Sequence, residues 1–338
     1  MTMTPTASGR TAAREPSILP TLLLRWETLL IVLLLLGAVG NAYLSENFLD
    51  VTNLFNMTVD FMEKSIIALP MALIIVSGNI DLSVASTLAL SAIVMGVLFQ
   101  AGWNVWLASL AGLAVGALAG LANGLLVTRV RLPSLVVTLG TYALYRGLAS
   151  AIVGDEALSG FPDDFTTIGQ GYLPGTPVPV PLAIFLVLVV PFALLLHRTS
   201  FGRLVYAIGS NEEACRFAGV AVDRIKVILF VLAGLMSALA GLMLNARFGA
   251  TRADVGAGFE LDVITAVVLG GVDIFGGQGT ILGVVLALFL IGELRFGMSL
   301  NNVPAQVQTI AIGLLLILAI ILPRLLRARS GGRRVASA

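Results

Sequence analysis

The chain has 338 residues, of which 58% are hydrophobic and only 12% are charged, and its formal net charge is +1. Soluble proteins carry about 25% charged residues, so this composition excludes an ordinary soluble protein and predicts a membrane protein. The small net charge gives no support for a nucleic-acid partner. Cys215 is the only cysteine and His197 the only histidine. The sequence therefore predicts no intramolecular disulfide, no metal site and no cofactor held by this chain.

Long apolar runs, separated by short polar breaks, fill the chain from Trp26 to Pro323. A helix of about 20 apolar residues crosses the hydrocarbon core with every backbone group paired. We therefore predict an all-α, polytopic membrane protein with about ten transmembrane helices. Short runs favour tilted, re-entrant or discontinuous helices. The predicted spans are 28–44, 61–77, 84–100, 105–127, 134–153, 180–196, 225–246, 261–275, 281–298 and 307–322, of which the second, third and eighth are short.

The distribution of Lys and Arg predicts the orientation, because cytoplasmic loops carry an excess of these residues. With a cytoplasmic N-terminus, the outer side receives five of the 20 Lys and Arg residues and the cytoplasmic side the other fifteen (20 − 5 = 15). Both ends are therefore predicted to be cytoplasmic, which requires an even number of spans. The five outer residues are Lys64, Arg146, Arg247, Arg252 and Arg295.

This orientation divides the chain into three parts: a cytoplasmic tail (1–25), a transmembrane domain (26–323) and a basic cytoplasmic tail (324–338). Two loops are long. The outer loop, 154–179, is rich in Gly, Pro and Asp, which fits either a solvated connector or a docking surface for an external partner. The other long loop, 197–224, is predicted to be cytoplasmic.

Two glycine-containing breaks follow apolar runs. One reads Gly78-Asn79-Ile80-Asp81 and the other Gly270-Gly271-Val272-Asp273. Interrupted segments in both halves of a transporter point to the translocation path. Asp81 has two interpretations, since an acid within a membrane is a functional candidate, whereas Asp81 or Ser83 can also cap the next helix after Gly78 ends the preceding one.

Other polar residues in apolar runs are weaker candidates. Glu293 and Arg295 lie two residues apart and therefore face different sides of a helix, so they are not a mutual pair; either could line a polar channel or reach the outer surface. Glycines spaced by four in the fourth span predict close helix packing and no site. The substrate-path candidates are Asn79, Asp81, Ser83, Gly270, Gly271, Asp273 and Glu293.

A short amphipathic helix is predicted within the loop 197–224. Ser210 or Asn211 can cap it, and Gly219 can end it. Its apolar strip suits either a lipid surface or a groove on a soluble partner. Because its charges include two acids at the start and one Arg, the partner is favoured over the lipid surface. The residues of this candidate coupling segment are Asn211, Glu212, Glu213, Ala214, Cys215, Ala218 and Gly219.

No phosphate-binding loop of the form G-x-x-x-x-G-K-[ST] occurs in the sequence, so an ATP motor would be a separate polypeptide. An ion-coupled secondary transporter is the competing interpretation, although it would need several intramembrane acids. A membrane-embedded enzyme is a third interpretation, and neither paired acids nor a nucleophile–base set supports it.

The segments Ala68–Ser86 and Ala266–Gly283 resemble the permease subunit of bacterial ABC sugar importers of the ribose/rhamnose/autoinducer-2 type. Val137–Tyr142 and Ala207–Ala214 support the resemblance, which covers roughly residues 28–323. Within the family, the first two segments look closest to rhamnose permeases. Gly96–Gly102 also resembles the autoinducer-2 permeases, and Asn79 stands where the family often has Gly.

The resemblance implies a multi-pass protein of the bacterial inner membrane that imports a monosaccharide or small polyol, with rhamnose favoured over autoinducer 2, ribose or xylose. It implies two cytoplasmic ATPase subunits that hold Mg-ATP, a periplasmic sugar-binding protein, and a second permease that is either a copy or a paralogue. It also implies that Glu213-Ala214-Cys215, followed by Gly219, meets the ATPase, with Cys215 replacing a small Ala.

Overall fold

The computed structural model describes residues 26–315 and residue 317, which form a helical bundle with one very short pair of strands. The predicted tails 1–25 and 324–338, and the end of the last predicted span, lie outside these residues. The helices are α1 (Trp26–Leu44), α2 (Val51–Val59), α3 (Met62–Val76), α4 (Val84–Gln100), α5 (Val105–Thr128), α6 (Ser134–Val153), α7 (Asp163–Gln170), α8 (Val180–Arg198), α9 (Ser200–Ser210), α10 (Glu212–Phe217), α11 (Val222–Phe248), α12 (Phe259–Leu269), α13 (Ile281–Leu300) and α14 (Ala305–Leu315).

The bundle is a multi-pass membrane architecture, although the count of ten crossings is not confirmed. Each predicted span coincides with a helix, but only six helices of the described chain are long and apolar enough to cross a bilayer, namely α1, α5, α6, α8, α11 and α13. The eighth predicted span extends too far, to residue 275. Its helix, α12, ends at Leu269, because the backbone turns at Gly271 while the apolar composition continues through Phe275.

Helix α3 is the centre of the core. It has 15 residues, and all of them except Lys64 are buried. A helix this short is tolerated in a membrane protein where the flanking irregular backbone is covered by protein. Helices α8, α9, α11, α12 and α13 contact it.

The long helix α11 packs against α5 through the glycines predicted to favour close packing. A Cβ atom on Gly120 would lie 2.2 Å from the carbonyl oxygen of Phe230, and one on Gly116 would lie 2.5 Å from that of Gly234. Only residues without side chains allow the two backbones to approach this closely. The packing prediction for this stripe is therefore confirmed.

The loops alternate between two sides of the bundle. Strands β1 (Leu158–Ser159) and β2 (Ala250–Thr251) pair antiparallel, so the long loop 154–179 and the loop after α11 lie together on one side. Helix α10 lies on the other side, at the start of α11. We call the side with α10 the α10 side, and the side with β1 and β2 the opposite side.

Candidate functional site

The predicted amphipathic helix exists and has the predicted ends. The side chain of Asn211 caps α10 by accepting a hydrogen bond from the backbone N–H of Ala214 at 2.9 Å. At the other end, Gly219 adopts a left-handed conformation with φ +81°. Its N–H donates to the carbonyl of Arg216, and the N–H of Val220 donates to that of Cys215. This hydrogen-bond pattern is a Schellman motif, in which a glycine is strongly preferred.

An ionic network attaches α10 to the start of α11. The Glu212 carboxylate accepts hydrogen bonds from Lys226 at 2.6 Å and from Arg216 at 2.9 Å. Arg216 also pairs with Asp223 at 2.5 Å. Partial burial opposes ionisation of Glu212, but the hydrogen bonds from Lys226 and Arg216 outweigh it and hold the pKa of this carboxyl below its usual range. The pairing with Lys226 was not apparent in the sequence, because Lys226 follows 14 residues later.

One face of α10 is anchored and the other is free. Cys215 is buried in the hydrophobic core, whereas Ala214 and Ala218 are exposed. Phe217 is 92% exposed, which is unusual for a phenylalanine that ends a well-capped helix. The predicted apolar strip of Ala214, Phe217 and Ala218 therefore lies on the surface of the chain.

The first break begins where α3 ends. Gly78 has φ +77°, and its N–H and that of Asn79 donate to the carbonyls of Ile75 and Ile74 in a second Schellman motif. The prediction that Gly78 ends this helix is confirmed. Asn79 is buried, and its amide donates to both oxygens of Ser77.

Asp81 has a local structural role, but not on the helix N–H groups as predicted. One of its carboxylate oxygens accepts hydrogen bonds from the backbone N–H of Ser83 at 2.8 Å and from the Ser83 hydroxyl at 2.7 Å. Ser83 is the N-cap residue of α4, yet its side chain makes no capping bond. The hydroxyl instead accepts from the Asn123 amide at 2.8 Å, and Asn123 in turn accepts from Tyr145 at 3.4 Å.

This buried polar chain links α4, α5 and α6, and the sequence reasoning missed two of its members. Asn123 lies within the glycine stripe of α5, where an isolated amide in an apolar run was the available signal. Tyr145 lies next to Arg146, which the Lys and Arg distribution places on the outer side. Arg146 instead donates to the carbonyls of Ala253 and Val255 and so holds the loop after α11.

The second break repeats the first with a shift of one residue. The N–H groups of Gly271 and Val272 donate to the carbonyls of Val268 and Val267 in a third Schellman motif, and Gly271 has φ +85°. The Asp273 carboxylate accepts from the N–H of Phe275, as Asp81 does from Ser83 two residues on. Unlike Asp81, Asp273 is exposed.

Gly270 is held for a different reason, since a Cβ atom there would lie 2.6 Å from the Cα atom of Val284 on α13.

The two breaks meet at Gly209 of α9. A Cβ atom on Gly209 would lie 1.8 Å from the carbonyl oxygen of Val76 and 2.5 Å from the nitrogen of Gly277. The N–H of Gly277 also donates to that same Val76 carbonyl at 2.8 Å. The turn between α9 and α10 is only Asn211, so the predicted coupling helix is separated from both breaks by one backbone junction.

Glu293 is not part of this cluster. It lies 12 residues beyond the start of α13, or about 18 Å along the helix axis, and it is buried beneath Gly37 of α1. Neither of its carboxylate oxygens has a hydrogen-bond partner within the described residues. Arg295 pairs with Asp262 and not with Glu293, as the helical spacing predicted. Within the described residues, no three His, Cys, Asp or Glu side chains form a metal-binding group.

Comparison with known proteins identifies the family. Residues 53–320 match the family model described as the permease component of branched-chain amino acid transport systems. This chain belongs to that family. It is 40% identical over 303 residues to the autoinducer 2 import system permease protein LsrD of Klebsiella pneumoniae, a match that covers 88% of this chain and 91% of the relative. The proteins of the same name from Yersinia enterocolitica and Escherichia coli K12 are 43% and 40% identical over 302 residues, with the same coverage.

No solved structure matches the chain. The family confirms a non-catalytic permease subunit of an ABC importer of the ribose/autoinducer-2 type and argues against the secondary-transporter and enzyme interpretations. The closer resemblance to rhamnose permeases is not supported, because the relatives are named as autoinducer 2 importers.

Proposed function

We propose that this chain is the membrane-spanning subunit of an ATP-driven importer that moves a small polyhydroxylated solute into the cytoplasm. Autoinducer 2 is the first candidate, because the relatives at 40–43% identity are named for it. Rhamnose, ribose and xylose are the competing cargoes. A periplasmic binding protein delivers the solute, two separate ATPase subunits supply the power, and a copy or paralogue of this chain completes the membrane part.

The exposed apolar face of α10 is the observation that carries the proposal. A 92% exposed Phe217 beside two exposed alanines is a compact hydrophobic contact surface. The ionic network of Glu212 and the burial of Cys215 hold the opposite face, so the helix is presented in a fixed orientation. Such a helix suits a groove on a soluble partner. The partner proposed here is the ATPase.

The proposed orientation places α10 in the cytoplasm and the loop 154–179 in the periplasm. Arginines and lysines flank α10, as the positive-inside rule expects. On a Cys215→Ser background, Ser159→Cys should react with an impermeant thiol reagent added outside intact cells. Phe217→Cys should react only after the membrane is permeabilised. The reverse labelling pattern would overturn this orientation.

Coupling is tested by substitutions that change the shape of the free face of α10. Ala214→Trp and Phe217→Ser should leave membrane insertion unchanged, because neither side chain is in the core, but they should abolish both ATPase copurification and ATP-dependent uptake of autoinducer 2. Gly219→Val should have the same effect by straining the left-handed end of the helix. Gly154→Val is a control, since Gly154 also has positive φ with no atom near its Cβ position, but lies on the opposite side.

Normal copurification and uptake with Trp at position 214 would show that α10 is a lipid-surface helix or a simple connector. Uptake of rhamnose, ribose or xylose in place of autoinducer 2 by the wild-type complex would change only the cargo. ATP hydrolysis by the isolated chain would overturn the subunit assignment.

A further inference from the structure

A charged cavity lies on the opposite side, at the far end of the helices that carry the two breaks. Its volume is about 180 Å³, and its walls come from α2, α3, α12, α13 and α14. Most of the wall is apolar, including Phe61, Leu288 and Phe296. Four charged residues line it: Asp60 at the end of α2, Lys64 of α3, Asp262 of α12 and Arg295 of α13.

Lys64 and Arg295 share the carboxylate of Asp262. Lys64 Nζ lies 2.5 Å from one oxygen of Asp262, and an Arg295 nitrogen lies 2.9 Å from the other oxygen. Lys64 Nζ also lies 4.5 Å from the centre of the Phe259 ring. The cluster therefore combines two cations, one acid and an aromatic face within a few ångströms.

The hydrogen-bonding capacity of the cluster is not filled. Arg295 Nε is buried and has no acceptor within the described residues. Buried polar atoms without a partner are costly and uncommon. Two cations on one acid also leave the cluster with an excess of donors. Additional acceptor groups would complete it.

Access to the cavity is available from the opposite side. A larger, more open cleft of about 500 Å³ lies between α3 and the loop that follows α11, and Asp60 and Lys64 line both the cleft and the charged cavity. Lys64 therefore stands at the boundary between an outer opening and an inner cavity.

The same three helices connect the charged cavity to the breaks. Helix α3 carries Lys64 at its start and ends at the Gly78 break, and α12 carries Asp262 at its start and ends at the Gly271 break. Helix α13 begins at Ile281, after the loop that follows the second break, and carries Arg295 near its other end. Lys64 and Val76 are 12 residues apart, or about 18 Å along α3.

We propose that this charged cavity is a recognition subsite for a small polyhydroxylated, uncharged solute on its way through the chain. The inference rests on the proposed transport function. Adjacent hydroxyl groups accept from Arg295 and Lys64 while they donate to Asp262, and a C–H face of the solute packs on the aromatic walls. A mostly apolar cavity with a few convergent polar groups is the usual form of a small-molecule site.

The competing interpretation is a structural ion cluster that joins three helices. Apolar replacement separates the two. Replacement of buried ion clusters by apolar residues of similar volume is often neutral or stabilising, so Lys64→Met/Asp262→Leu/Arg295→Met should remain folded. If the cavity is a recognition subsite, uptake by the triple variant should fall by about tenfold or more, the factor expected for one lost hydrogen bond to a charged group. ATPase copurification should be retained. Asp163→Asn/Asp164→Asn changes two exposed carboxylates of α7, on the same side but outside the cleft and the cavity, and serves as the control.

A second measurement does not depend on the triple variant. Ser299 lines the charged cavity, so Ser299→Cys on a Cys215→Ser background reports its occupancy. In the full complex, the rate at which a small maleimide labels this cysteine is measured with and without autoinducer 2, rhamnose, ribose or xylose. At a concentration equal to its Kd, a bound solute should slow labelling about twofold by mass action. Ser159→Cys, on the same side but outside the cavity, should not be protected.

Each outcome decides one proposal. Wild-type uptake by the triple variant, or no protection of Ser299→Cys by any of the four solutes, overturns the subsite and leaves the importer assignment intact. Failure of the wild-type chain to copurify with an ATPase would overturn the proposed function. Protection of Ser299→Cys would still support the subsite in that case.

Discussion

The Gly209 junction on the α10 side and the Lys64–Asp262 cluster on the opposite side are built from different contacts. On the α10 side, backbones touch directly at glycines: Gly209 fits against the Val76 carbonyl and the Gly277 nitrogen, and a single methyl group would not fit there. On the opposite side, helices of the same bundle are joined by side-chain ion pairs, including Lys64–Asp262, across cavities of about 180 and 500 Å³.

This difference suits the two regions to different tasks: one passes on a helix movement, and the other admits a solute. Close-packed backbone has no space to absorb a displacement, so a shift of α9 must move the ends of both neighbouring breaks. Long side chains across a cavity can instead exchange one partner for another. The α10 side is therefore suited to pass on the movement of a docked subunit, and the opposite side is suited to admit a solute.

The largest expected effect concerns a buried ion pair on the opposite side. Arg247 pairs with Glu63, whose side chain is 2% exposed, at 3.2 Å. Removal of one partner of a buried pair leaves an uncompensated charge and costs about 3–5 kcal/mol. Arg247→Met should therefore lower the melting temperature of the purified chain strongly, whereas Arg252→Met, at an exposed pair, should change stability by less than about 0.5 kcal/mol. Equal melting temperatures would show that Glu63 finds another partner.

The next effect is at the backbone junction. Gly209→Ala forces a methyl group into a space bounded by the Val76 carbonyl, and overpacking of this kind costs about 1–3 kcal/mol. We expect ATP-dependent uptake to be lost while ATPase copurification is retained, because the free face of α10 is untouched. Gly140→Ala is the matched control, since nothing lies within 4 Å of its Cβ position. Normal uptake by Gly209→Ala would contradict the role of this junction in transmission.

Much of the α10 side could be predicted from sequence, because its signals are local. A capping Asn211, a terminating Gly219 and a terminating Gly78 each act within about five residues of their partners. The ends of apolar segments were less predictable. The backbone leaves the helix at Gly271, but three of the next four residues are apolar, so hydropathy extends the predicted span to residue 275.

The opposite side could not be predicted, because its contacts join distant parts of the chain. Lys64 and Asp262 are 198 residues apart, and Arg146 bonds to carbonyls more than 100 residues away. Periodicity and capping carry no information about such pairs. For Arg295, the helical spacing excluded Glu293 as an ion-pair partner, but it did not identify Asp262 as the partner.

A smaller effect distinguishes charge from shape at Asp81. Asn retains a carbonyl oxygen that accepts from the N–H and the hydroxyl of Ser83, so the free energy of unfolding of Asp81→Asn should stay within about 1 kcal/mol of wild type, and uptake should be retained. Asp81→Ala loses both hydrogen bonds and should be destabilised by about 1–3 kcal/mol. Loss of uptake in a stable Asp81→Asn variant would instead show that the carboxylate charge is required for transport.

The smallest effect is the pH dependence of the α10 anchor. Because Lys226 and Arg216 hold the pKa of Glu212 below its usual range, the ionised form stabilises the attached helix. This stabilisation is complete above the unfolded pKa of about 4.3 and is lost as the pH falls through the lower folded pKa. Glu212 is partly exposed, so the effect is no more than about 1 kcal/mol. ATPase copurification should therefore be constant from pH 8 to pH 5. The measurement uses the Cys215→Ser variant, so that oxidation of the only cysteine does not affect it. Glu212→Gln should weaken copurification modestly at every pH in that range. A decline between pH 7 and pH 5 would mean that a group other than Glu212 controls the docking of α10.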